Sequence, residues 1–70
     1  MEESTVHGFK VFFDDRSGEG MKYLRDDLDY SESKVFFDQA RMKGFVKFED
    51  DADRQYTMTY KNGVYMLARR

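Results

Sequence analysis

Apolar and polar residues alternate with a period of two over most of this chain, and with a period near 3.6 over one stretch in its middle. Val6-His7-Gly8-Phe9-Lys10-Val11-Phe12-Phe13 is rich in β-branched and aromatic residues, the composition of a strand. Phe9, Val11 and Phe13 fall on one face of it, Lys10 and Phe12 on the other. The polar stretch 1–5 ahead of it reads as a disordered tail. Asp14 to Gly20 (DDRSGEG) has turn chemistry, with Gly18 and Gly20 able to supply positive φ.

Residues 21–25 are ambiguous. As a helix, Met21, Leu24 and Leu28 line up at i, i+3 and i+7. Asp26, Asp27 and Asp29 then crowd a helix C-terminus, where the macrodipole disfavours negative charge. As a strand, the segment closes a hairpin with the first strand over the glycine turn. The aspartates then precede the next helix, where they are favoured, and the hairpin is the preferred reading.

The 3.6-period stretch is Ser31 to Lys43. Ser31 is positioned to N-cap a helix, with Tyr30 stapling onto Val35; Asp29 with Glu32 forms a competing capping box that starts earlier. Phe36, Phe37 and Ala40 make the stripe to be buried. Arg41 and Lys43 suit the negative C-terminus, and Gly44 suits the C′ position.

Three strands follow. Phe45 to Glu49 is the first, and the acidic stretch Asp50-Asp51-Ala52-Asp53 reads as a solvated loop. Tyr56 to Tyr60 alternates cleanly, and Val64 to Ala68 returns over Asn62-Gly63, a strong type I′ hairpin signal. A two-residue loop sets Tyr60 opposite Tyr65 and Met58 opposite Leu67. Tyr56, Met58, Tyr60, Tyr65 and Leu67 then face the helix, while Thr57, Thr59, Lys61, Val64, Met66 and Ala68 face away.

The predicted fold is α+β: a single domain over residues 1–70, built as an antiparallel sheet of about five strands with one helix on one face. The element order is β-β-α-β-β-β, or β-α-α-β-β-β if 21–25 is helical. Lys-Val-Phe-Phe-Asp occurs at 10–14 and again at 34–38, but the flanks differ, so it is read as coincidence rather than duplication.

Composition narrows the chemistry. The absence of cysteine excludes disulfides and thiolate metal sites, and fits a reducing compartment such as the cytoplasm. No apolar run approaches the length of a membrane span or signal core. Seven Phe and five Tyr supply the large buried area that a chain of 70 residues needs. A net charge of −2 argues against broad binding to nucleic-acid phosphates.

No catalytic constellation emerges, and the chain reads as a non-enzyme without cofactor. His7 is the single histidine, and it lies in a segment where nothing sets a serine beside it. Gly18-Glu19-Gly20 is too short for a phosphate loop. Asp27-x-Asp29-x-Ser31 with Asp38 echoes a calcium loop, but Glu32 stands where the sharp turn needs glycine, and no metal ligand is assigned.

One feature remains. A single helix covers one face of the sheet, so the other face should be polar in a monomer. It carries instead Phe12, Phe45, Val64 and Met66 among Lys10, Lys47 and Lys61, joined by Lys22 and Leu24 if 21–25 is a strand. These residues point to a protein-interaction or regulatory domain, pairing with itself as a homodimer or with another protein. The alternative is a weak binder of single-stranded nucleic acid, with Phe12 and Phe45 stacking on bases. Neither a membrane nor a small-molecule substrate is expected.

Overall fold

A computed structural model describes residues 2–70. Five strands form one sheet: β1 (Glu2–Val6), β2 (Phe9–Phe13), β3 (Phe45–Glu49), β4 (Gln55–Lys61) and β5 (Val64–Arg69). Their spatial order is β1-β2-β5-β4-β3. A short helix α1 (Gly18–Lys22) runs into a π-helical turn (Tyr23–Asp27), and a longer helix α2 (Tyr30–Lys43) follows. The architecture is α+β, with every helical element between β2 and β3.

The expected tail is a strand. Glu2–Val6 pairs antiparallel with β2, Val6 opposite Phe9, so the single first strand of the sequence reading is a hairpin. Its turn is His7-Gly8, at φ 49° and 89°, the positive pair that a type I′ connection requires. Reading through these two residues as strand hid the turn. His7 is therefore a turn residue, and its ring Nε2 lies 3.3 Å from the Leu28 carbonyl, tying the turn to the loop before α2.

With β1 beside β2, the expected pairing of residues 21–25 with the first strand does not form. Those residues are helical, as in the second of the two element orders, but with the extra N-terminal strand. Met21 and Leu24 are buried in the core, worth about 1.5–3 kcal/mol each. The unfavourable dipole contact of the following aspartates amounts to about 0.3–1 kcal/mol where exposed, so burial decides the conformation. Arg25 also pairs with Asp26 at 3.0 Å. Gly18 and Gly20 consequently do not adopt the positive φ expected of a turn.

The sheet is mixed rather than wholly antiparallel. β2 and β5 are parallel, with Val11 beside Tyr65 and Phe13 beside Leu67, while the other pairs are antiparallel. The two helical segments carry the chain across the sheet and make this parallel neighbour possible.

Helix α2 begins at the competing cap. The Asp29 carboxylate accepts from the Glu32 N–H at 2.8 Å, and the Glu32 carboxylate accepts from the Asp29 N–H at 3.0 Å. Ser31 is exposed inside the first turn, and with Asp29 at the cap Tyr30 is the first helical residue, no longer the N′ residue of the expected staple. The other end matches expectation: Gly44 sits at φ 91° and its N–H reaches the Ala40 carbonyl at 2.7 Å.

The core lies between the helices and one sheet face. Phe9 stacks on Phe37 at 4.3 Å, Phe36 on Phe48 at 5.1 Å and Phe48 on Tyr56 at 5.4 Å. The Ser33 hydroxyl donates to the Leu24 carbonyl, so the chain leaves the π turn without an orphaned buried acceptor. At Gly20 a Cβ would come within 3.0 Å of the Tyr56 ring. Glycine there lets α1 lie directly on the ring.

Two changes test this account. Asp29→Ala is expected to cost about 0.5–2 kcal/mol in chemical denaturation, and Ser31→Ala far less. Gly20→Ala should destabilise despite alanine's better helix propensity of about 1 kcal/mol, because the methyl displaces α1 from Tyr56. A gain in stability at Gly20 would show that the contact yields freely.

Candidate interaction face

Alternation along the strands fixes two chemically different faces. Val11, Val46, Phe48, Tyr56, Met58, Tyr65 and Leu67 point into the core and are buried. The residues between them lie on the opposite, helix-free face. The Asn62-Gly63 turn has φ 54° and 81°, and Tyr60 pairs with Tyr65 and Met58 with Leu67, as its chemistry predicts.

All seven residues singled out from the sequence lie on the helix-free face. Pairing joins Glu3, Phe12, Met66, Thr59 and Phe45 into one row across all five strands. Met66 is 41% exposed and Phe45 48%, whereas Phe12 and Val64 are half-buried. A second row holds Thr5, Lys10, Val64 and Lys61, and Lys47 lies beyond the first row on β3. The Lys10 ammonium is 4.0 Å from the Glu3 carboxylate, both well exposed. Such a pair contributes little to stability.

Lys22 and Leu24 are not on this face. Leu24 is buried beneath the helices, and Lys22 lines a cleft on the far side of the molecule. Conversely, Glu3 and Thr5 belong to the face and were missed, because residues 1–5 read as a tail. Glu2-Glu3-Ser4-Thr5 has no apolar residue to alternate with its polar ones, and Val6 alone gives too weak a strand signal. Other exposed apolar side chains, Tyr30, Val35 and Met42, lie along α2 with charged residues between them.

The acidic loop is not simply solvated. Asp50 is buried, and its carboxylate accepts from the Ala52 and Arg54 backbone N–H groups at 2.9 and 3.0 Å. It also accepts from the Arg54 guanidinium at 2.6 Å and the Tyr56 hydroxyl at 3.0 Å. Burial alone pushes this carboxyl up, but those hydrogen bonds outweigh it and hold it down at about 2. Arg54 reaches on to Glu19 at 3.5 Å, linking the loop to α1.

Beside this network is a cleft of about 260 Å³, lined among others by Lys22, Tyr23, Asp27 and Asp51. Burial raises the Tyr23 hydroxyl pKa, and the nearby Asp51, Glu32, Asp27 and Asp50 raise it further. The carboxylates of the calcium-like spacing are dispersed: Asp29 caps α2, and Asp38 pairs with Lys34 at 2.7 Å and Arg41 at 3.3 Å. Among the described residues no helix is long and apolar enough to cross a membrane. No protein-family model, curated protein or solved structure matches the chain.

The loop network predicts acid sensitivity. A carboxyl with a lowered folded-state pKa stabilises the fold above its unfolded value of 3.8, and that stability is lost as pH falls toward about 2. Asp50→Ala should cost about 2–3 kcal/mol at neutral pH, and its melting temperature should fall less steeply than the wild type's between those pH values. Equal acid slopes in the two proteins would remove Asp50 from this role.

Proposed function

We propose that this chain is a non-catalytic interaction domain that works through the helix-free face of its sheet. The observation that carries the reading is the row Phe12, Met66, Thr59 and Phe45 across four adjacent strands, edged by Lys10, Lys61 and Lys47. Apolar side chains on a sheet face left open to water gain free energy when covered, by about 25 cal/mol for each Å² removed. The lysines add orientation, because ammonium groups around an apolar strip favour partners that bring carboxylates or phosphates to its margins. Nothing in this reading requires a bond to be made or broken. It accommodates a second copy of the chain as well as a different protein.

Photo-crosslinking in the native cells tests it. A photoreactive residue replacing Met66 reports on the sheet face, and one replacing Met42 reports on the outer side of α2, where Met42 is 80% exposed. A discrete protein adduct, of self or of another chain, should form at 66 and not at 42. Identical adducts from both positions, or none at 66, would overturn the assignment. Stability should separate the faces too: Phe48→Ala is expected to cost about 3–5 kcal/mol, and Met66→Ser under about 1 kcal/mol.

A further inference from the structure

We infer that the occupant of the open face is a helix of a partner protein, apolar along one side and bordered by carboxylates, lying along β5. The inference rests on the reading of this face as an interaction surface, and names what fills it. Three observations converge on it. The first is the make-up of the uncovered face, which carries Phe12, Val64, Met66 and Phe45. A sheet face left to water is ordinarily polar, alternating with the apolar face on the core. Here only one face is covered, by α1 and α2. A helix on the other would complete a three-layer arrangement.

The second is shape. Val64, Met66 and Ala68 form an apolar line along β5, the middle strand of the five. A strand of this length runs about 20 Å, which a helix of about twelve residues matches at 1.5 Å per residue. The third is charge. Lys61 lies directly opposite Val64 on β4, and Lys10 lies beside Val64 on β2, one position before the Val11–Tyr65 pair. Neighbouring strands are about 5 Å apart, so the two lysines straddle the apolar line at about 10 Å. That is the width of a helix, and carboxylates on both its flanks would meet an ammonium group.

Charge disfavours a second copy of the chain, and spacing disfavours nucleic acid. An isologous contact between two copies brings Lys10, Lys47 and Lys61 of both copies into one interface with only Glu3 and Glu49 of each to meet them, and Glu3 is already beside Lys10 in its own chain. For single-stranded nucleic acid, Phe12 and Phe45 are three strands apart, about 14 Å, too far for consecutive stacked bases, and the line between the lysines is aliphatic.

A displayed library of helical peptides with randomised surface positions, selected on the whole protein, tests the inference. The selected peptides should be enriched in apolar residues at i, i+3, i+4 and i+7 flanked by Asp or Glu. Fluorescence anisotropy of the best peptide should show affinity falling about tenfold with Lys10→Glu and Lys61→Glu combined, with the melting temperature of the protein unchanged. Selection without Asp or Glu enrichment, or affinity indifferent to the lysine changes, overturns the inference. So does a labelled single strand that binds with a steep salt dependence and crosslinks at position 66. If peptides fail while protein adducts persist at 66 in cells, the helix is refuted and the interaction face stands. If adducts at 66 are also missing, both fall.

Discussion

Tyr56 is the side chain on which the three layers of contact in this fold meet. It is fully buried. Its ring stacks on Phe48 from the neighbouring strand, and the bare backbone of Gly20 rests against it. Its hydroxyl donates to Asp50, which in turn holds Arg54 and the loop between β3 and β4. One residue thus registers α1 on the sheet and fixes the geometry of the loop. Desolvating a phenol hydroxyl is unfavourable without a partner, and Asp50 is acceptable in the interior only because several donors converge on it. The aromatic packing and the polar network each make the other possible.

That coupling explains which parts of the fold were legible in sequence. The last hairpin, β3 and the end of α2 are specified by local chemistry: Asn62-Gly63 demands a tight turn, alternation assigns the faces, and Gly44 closes the helix. The faces of all seven candidate residues followed from the same alternation. Residues 2–6 pair locally with β2, but through His7-Gly8, a weaker turn signal than Asn62-Gly63, and residues 18–27 depend on contacts distant in sequence. Gly20 resembles a turn residue until Tyr56 is placed against it. Met21 and Leu24 outweigh the aspartates behind them only because a core receives them. Asp50 looked like one more solvated acid because its donors, apart from close neighbours, arrive through the strand pairing.

The pentapeptide Lys-Val-Phe-Phe-Asp shows the same limit in one chain. Its first copy lies mostly in β2, where Val11 is buried and Phe12 faces outward. Its second copy lies within α2, where Val35 is half-exposed and Phe37 is buried. Neither conformation is dictated by the five residues. The capping box at Asp29 starts a helix ahead of one copy, and the His7-Gly8 turn sets a strand beside the other. Intrinsic preferences of about 1 kcal/mol or less yield to flanking signals and tertiary contacts of greater size.

Net charge is a poor guide to the local charge of this surface. The chain carries −2 overall, yet the open face holds Lys10, Lys47 and Lys61 against Glu3 and Glu49, while most carboxylates lie in the helices and loops. The Cα framework is 19 Å across its shortest axis, and the Debye length at physiological salt is about 8 Å. A group approaching the open face therefore experiences the lysines nearly unopposed by the acids behind the sheet. On the proposed reading of this face, such a separation of charge would orient an encounter before any apolar contact forms, and the apolar line along β5 would then set how long the encounter lasts.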